Sequence, residues 1–288
     1  MTTPAPRTPR TPKTTRARRA PSTKTATAVT PAEATPRIAD ADLLRLMALL
    51  KGADSVELKL TVPTESQRAT IVGLGLDPVE AQPRQVFFFD TPDLTLDRAG
   101  IVVRARRIAG GRADTVVKLR PVDPAGLSPE LRKNASFNVE VDVLPGGFVC
   151  SGSFKGRSNG QDVRDAVAGT RPLRKIFTKE QRAFYRQHAP EGLELDALVP
   201  LGPTFILKGA FIPRELGRRF VAEMWLYQDG SRILELSTKC LPTEAFQVAA
   251  DARAYLIAHG VTLGGAQQTK TRTALEFFQG QLAAGSGA

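Results

Sequence analysis

The chain has 288 residues, 42% of them hydrophobic, and carries 40 Lys and Arg against 29 Asp and Glu, a net charge of +11. That length suits one large or two ordinary domains with a real core, and no apolar run reaches the ~18 residues of a membrane-spanning helix. Two distant cysteines (Cys150, Cys240) and two histidines (His188, His259) exclude a C-x-x-C centre and an ordinary zinc site. The cysteines read as buried, inert thiols, so any catalysis must come from carboxylates, Lys and Arg.

The charge is concentrated at the start. Arg7, Arg10, Lys13, Arg16, Arg18, Arg19 and Lys24 fall in the first thirty residues with no acid among them, leaving +4 for the rest. Residues 1–36 are rich in Pro, Thr and Ala with almost nothing to bury, so they are expected to form a disordered basic tail. Such a tail can contact nucleic acid, polyphosphate or an anionic membrane non-specifically, or simply solubilise the chain. Residues 37–279 read as a single domain, and the Gly/Ala-rich 280–288 as a flexible end. A cytoplasmic location is expected.

"IADADLLRLMALLKG" has helical apolar spacing and stops at Gly52. "SVELKL" (55–60) alternates as a strand, with Ser55, Glu57 and Lys59 on one face and Val56, Leu58 and Leu60 on the other. A short helix over "ESQRATIVGLGL" follows. Alternating segments come next: "QVFFFDTPD", "AGIVVRARR", "DTVVKLRP", "SFNVEVDV", then "EQRAFYRQ" and "EGLELDAL". "RFVAEMWLYQ" and "SRILELSTK" are joined across Asp229-Gly230, a hairpin signal. "PTEAFQVAADARAYLIAHG" and "TRTALEFFQG" predict two closing helices. With no β-α-β alternation, an antiparallel sheet with flanking helices, an α+β fold, is expected.

The strands repeat one feature. Arg104 and Arg106 share a face, as do Lys118 and Arg120. Glu140 and Asp142 lie on an unbroken polar face with Ser136 and Asn138, and the pairs Glu194/Asp196 and Glu235/Ser237 continue the pattern. One such face alone is ordinary for a half-exposed sheet. Five together point to a sheet closed with its apolar face outward, enclosing a tunnel of acids and bases. Lys and Arg can neutralise a triphosphate from several sides. Carboxylates fit beside it when Mg²⁺ or Mn²⁺ lies between.

"SVELKL", "FFFDTPDLTLDRAGIVVRARR", "VVKLRP", "FNVEVDV", "KEQRAFY" and "ILELSTK", in that order over residues 54–278, resemble the CYTH domain, or triphosphate tunnel metalloenzyme, superfamily. The resemblance implies a closed eight-stranded antiparallel tunnel that acts on triphosphate substrates with a divalent metal. The E-x-E-x-K opening appears as Ser55, Glu57 and Lys59, with serine in the first place; Asp54 is adjacent but belongs to the other face. The paired acids of the last strand appear as Glu235 and Ser237. By the same resemblance Lys59, Arg104, Arg106, Lys118, Arg120 and Arg182 would contact phosphates. Glu57, Glu140 and Glu235 would hold the metal, Mg²⁺ or Mn²⁺. Glu57, Lys59, Asp142 and Asp196 would be catalytic, with the two aspartates orienting water or basic side chains. Three activities fit these residues: triphosphate hydrolysis, adenylate cyclisation on the same phosphate cradle, and phosphate or polyphosphate binding without turnover, favoured by the two serines.

Overall fold

The computed structural model describes residues 1–3, 40–264 and 270–285, so the predicted basic tail lies almost wholly outside the described residues. Nine strands close into a barrel: β1 (Ser55–Val62), β2 (Gln82–Asp90), β3 (Ile101–Ile108), β4 (Arg112–Leu119), β5 (Phe137–Leu144), β6 (Gly147–Asn159), β7 (Val199–Phe211), β8 (Phe220–Leu226) and β9 (Arg232–Cys240). Their order around the barrel is β1-β5-β6-β4-β3-β2-β7-β8-β9. The α-helices are α1 (Asp40–Gly52), α2 (Gln67–Gly73), α3 (Thr95–Arg98), α4 (Pro129–Lys133), α5 (Gly160–Val167), α6 (Lys179–His188), α7 (Ala245–Ala258) and α8 (Lys270–Gly285). None of them is long and apolar enough to cross a membrane.

The expected eight antiparallel strands are nine, and the barrel is mixed. Strand directions cannot alternate all the way around an odd-numbered ring, and the exception is β1 with β5, which run parallel. Two strands are invisible to alternation. In β6 the small residues Ser151, Gly152, Ser153 and Gly156 dilute the pattern, and in β7 Pro200, Gly202 and Pro203 read as a loop. Conversely, "EQRAFYRQ" is α6 and "EGLELDAL" holds a single 3-10 turn at Leu195–Ala197. The helix start was signalled after all: Thr178 and Gln181 form a reciprocal capping box.

Residues directly opposite in a ladder share a face, so register separates inside from outside. Val56, Val103, Val117, Val139 and Val141 face outward and join α1, α5, α6 and α7 in the main core. A second outer cluster places Leu60, Val62, Leu234 and Leu236 against Leu256 of α7. Gln181 anchors α6 to the outer wall, donating to the carbonyls of Thr115 (3.0 Å) and Phe154 (3.2 Å). Gly156 makes that approach possible, because a Cβ there would sit 2.5 Å from the Gln181 amide oxygen.

The D-T-P-D turn is a corner. Asp90 is buried and accepts the backbone N–H groups of Thr91 (2.7 Å), Leu96 (2.8 Å) and Asp97 (2.9 Å), which caps α3 and aims β3 back into the barrel. Inside, one end is not polar. Val86, Phe88, Ile206, Trp225 and Ile233 point inward there, and Ala274, Leu275 and Phe278 of α8 pack onto them. The polar interior is therefore a chamber filled at one end, and α8 runs beyond residue 279 to Gly285. Both cysteines are buried free thiols, as expected.

Candidate active site

The remaining interior is a cavity of about 250 Å³. Among the described residues, nine lysine or arginine side chains and four glutamates line it, delivered by eight strands, by Arg120 just past the end of β4 and by the first residue of α8.

The acids form two groups. The first is built by the parallel pairing, which sets Ser55 opposite Glu140 and Glu57 opposite Asp142. Ligand oxygens of Glu57, Glu140 and Asp142 all lie within 4.8 Å of one another, a donor set suited to a hard divalent cation. The Ser55 hydroxyl donates to Glu140 at 3.3 Å, so it does face inward beside Glu57. Asp54 is outside the chamber, where its carboxylate accepts from the Val139 N–H and pairs with Arg132. Lys59 holds this group together, 3.2 Å from Glu57 and 2.9 Å from Asp142. Burial opposes its charge, but Asp142, Glu57 and Glu235 outweigh burial and raise its pKa well above the ordinary lysine value. Lys239, whose side chain is 51% exposed, reaches in to contact Glu140 and lies 3.8 Å from Glu57.

Asp142 is the hub of charge. Its side chain is fully buried, with Lys59 at 2.9 Å, Arg120 at 3.6 Å and Lys118 at 3.8 Å. Burial alone would raise its pKa, yet those three cations push it far below the usual carboxylate range. In Glu57 too, Lys59 and Lys239 overcome burial and lower the pKa.

The second acidic group is Glu223 and Glu235, directly opposed on β8 and β9. Lys270 bridges them at 2.8 and 2.6 Å, and Lys208 adds a contact to Glu223 at 3.1 Å.

Across from the acids stands a basic wall. Arg104 and Lys155 have no carboxylate within salt-bridge reach among the described residues. Burial, with the repulsion of Arg106 next, lowers Arg104 to about 10. Burial likewise pulls Lys118 down to about 8, more than the attraction of Asp142 restores, and lowers Lys155. These cations lack enough negative charge, and an anionic ligand between them would supply it. Arg106 lines the same cavity but is already bound in fork geometry by Asp114, at 2.9 Å from both Nε and Nη2.

Of the residues expected from sequence, Glu57, Lys59, Arg104, Arg106, Lys118, Arg120, Glu140, Asp142 and Glu235 converge on the chamber. Two do not. Arg182 lies on α6 outside the barrel and donates to the carbonyl of Phe177 at 2.8 Å, because the capping box turns Gln181 toward the wall and Arg182 along it. Asp196 sits in the 3-10 turn, accepts the Arg174 N–H at 2.7 Å and pairs with the Arg174 guanidinium, also outside. Lys155, Lys208, Glu223 and Lys270 were missed, and Lys239, which alternation puts on the face of Glu235 and Ser237, was given no role. Alternation in Val221-Glu223-Trp225 and Ser153-Lys155 could have found two of them; nothing local marks Lys270.

No protein-family model matches the chain, and no curated protein matches it in sequence. Solved structures do match. A "putative adenylyl cyclase" from Hippeastrum, described as revealing a dominant triphosphatase activity, superposes with a TM-score of 0.55 at 16% identity, over 74% of this chain and 91% of that one. A "putative adenylate cyclase" from Bacillus halodurans gives 0.53 at 12% identity, over 76% and 98%. The chain therefore shares the closed-barrel fold of these two proteins, the architecture that the ordered sequence motifs implied.

Proposed function

We propose that the chamber hydrolyses a triphosphate-containing substrate with the help of a divalent cation. One observation carries the reading: three carboxylates at metal-ligand spacing stand opposite a wall of under-neutralised cations in one buried cavity. Glu57, Glu140 and Asp142 would hold Mg²⁺ or Mn²⁺, which when bound supplies charge neutralisation and polarises a phosphoryl oxygen. Arg104, Lys118 and Lys155 bind the phosphate chain, and Arg120 adds to them where it passes Asp142. Lys59, locked between Glu57 and Asp142, supplies a fixed positive charge at the junction of the two halves. Such catalysis rests on positioning and preorganised charge, and no nucleophilic side chain is required. The triphosphatase activity described for the Hippeastrum protein supports the same reading.

The binder reading has its own observation. Ser55 and Ser237 offer no charge where two acids were expected, and Lys239 already lies against Glu140 and Glu57. Phosphate release from tripolyphosphate, ATP and thiamine triphosphate, each with Mg²⁺, with Mn²⁺ and with chelator, separates the cases. Metal-dependent release supports hydrolysis, and cyclic AMP from ATP supports a cyclase. Tight binding with no turnover in any metal refutes both and leaves the binder.

A further inference from the structure

Glu223 and Glu235 face each other directly across the β8–β9 ladder, both nearly buried. Two like charges directly opposite in a ladder repel, and the repulsion grows as water is removed. The pair persists because one ammonium lies between them: Lys270, at 2.8 Å from Glu223 and 2.6 Å from Glu235. Its cation also sits 4.9 Å from the centre of the Trp225 ring, a contact that favours positive charge there.

Each acidic group is held by two lysines, Lys59 and Lys239 in the first and Lys208 and Lys270 in the second, and the lysine that would have to yield to a metal is held differently in each. Lys239 is a barrel-strand lysine with a half-exposed side chain, free to swing into solvent when another cation arrives. Lys270 is only 13% exposed and begins α8, whose Ala274, Leu275 and Phe278 fill the end of the barrel. Withdrawing its ammonium breaks both carboxylate contacts and the contact with Trp225, while the packed helix holds its backbone at the pair. The first acidic group can release Lys239 to a metal while Lys59 stays in place; in the second, neither Lys270 nor Lys208 has such exposure.

We propose that Lys270 is the resident cation of the Glu223–Glu235 pair, so that the chain itself occupies what would otherwise be a second divalent-cation site. This deepens the metal-dependent reading by assigning the exchangeable ion to Glu57, Glu140 and Asp142 alone. Glu235, expected as a metal ligand, serves Lys270 instead. Two carboxylates with water completing the shell suffice for a hard cation, so removal of the ammonium opens a site.

The test counts bound Mn²⁺ by electron paramagnetic resonance of the free ion, without substrate. Wild type is expected to bind one equivalent tightly, and Lys270→Met, which keeps the apolar stem against Trp225, to bind two. Lys270→Met combined with Glu223→Gln should return to one. Two equivalents in the wild type, falling to one in Glu235→Gln, overturn the proposal; so does a folded Lys270→Met that binds no more than wild type. Should Lys270→Met not fold, Lys270→Gln carries the same count, and two equivalents in the wild type overturn the proposal by themselves. Zero equivalents in the wild type and one in Lys270→Met would refute the Glu57 cluster as the metal site while upholding the role of Lys270.

Discussion

Asp142→Asn tests the hub of the chamber, since it preserves shape and removes only the charge. Three cations stand 2.9, 3.6 and 3.8 Å from the carboxylate, and none of the four side chains is more than 23% exposed. Breaking a buried ion pair by removing one partner costs about 3–5 kcal/mol. Here the lower end applies, because Lys118 offers a way out: its pKa is near 8 even with Asp142 raising it, so in the variant it loses its proton at pH 7 for less than about 1.4 kcal/mol. A loss of about 3 kcal/mol lowers the melting temperature of a domain this size by roughly 6–12 °C. The measurement is thermal and urea denaturation in chelator, which removes any contribution of Asp142 to metal binding. Adding tripolyphosphate provides the second arm. The variant should be stabilised more than wild type, since the polyanion then serves cations that Asp142 no longer neutralises. Stability within 0.5 kcal/mol of wild type, or an equal ligand shift in both, would refute the account of Asp142 as the internal counter-ion. The pH dependence has a definite sign: the folded pKa of Asp142 is depressed, so its contribution is complete above the unfolded value near 4 and is lost only as pH falls below that toward the folded value.

Lys118 gives a second pH signature. Its folded pKa is depressed to about 8, so metal-free tripolyphosphate affinity should fall as pH rises through 8, with proton uptake in calorimetry; Lys118→Arg should abolish that fall, and an unchanged profile would remove Lys118 from the phosphate site. Ser55→Glu adds a carboxylate beside Glu140 and should tighten Mn²⁺ binding about tenfold, or ~1.4 kcal/mol, while lowering metal-free stability; a folded variant with unaltered affinity would contradict the inward placement of Ser55. Arg182→Ala and Asp196→Ala should leave phosphate release within twofold of wild type, with Arg182→Ala losing about 1 kcal/mol of stability for its bond to Phe177; a tenfold loss of rate in either folded variant would return it to the site.

Much of the chamber was legible because a strand has a period of two, which local composition expresses without any partner. Glu57 and Lys59, Arg104 and Arg106, Lys118 and Arg120, Glu140 and Asp142 all fall on the faces assigned to them, since the apolar residues that alternate with them face the helices outside. The Asp229-Gly230 hairpin and the Gly52 stop were legible for the same reason, being set by neighbouring residues. Where alternation was diluted by Gly and Ser, as in β6, or broken by Pro, as in β7, two strands vanished from view, and with them the odd count that makes β1 and β5 parallel. At Arg182 the nearby capping box outweighed the resemblance of "QRAFY", because a buried glutamine amide needs partners that an arginine pointing along the wall does not. Which acid meets which base is a matter of register between strands remote in sequence: Glu57 meets Asp142 only through the parallel pairing. Lys270 is the extreme case, a residue with ordinary neighbours whose position follows from α8 burying its apolar side in the end of a barrel that must first have closed.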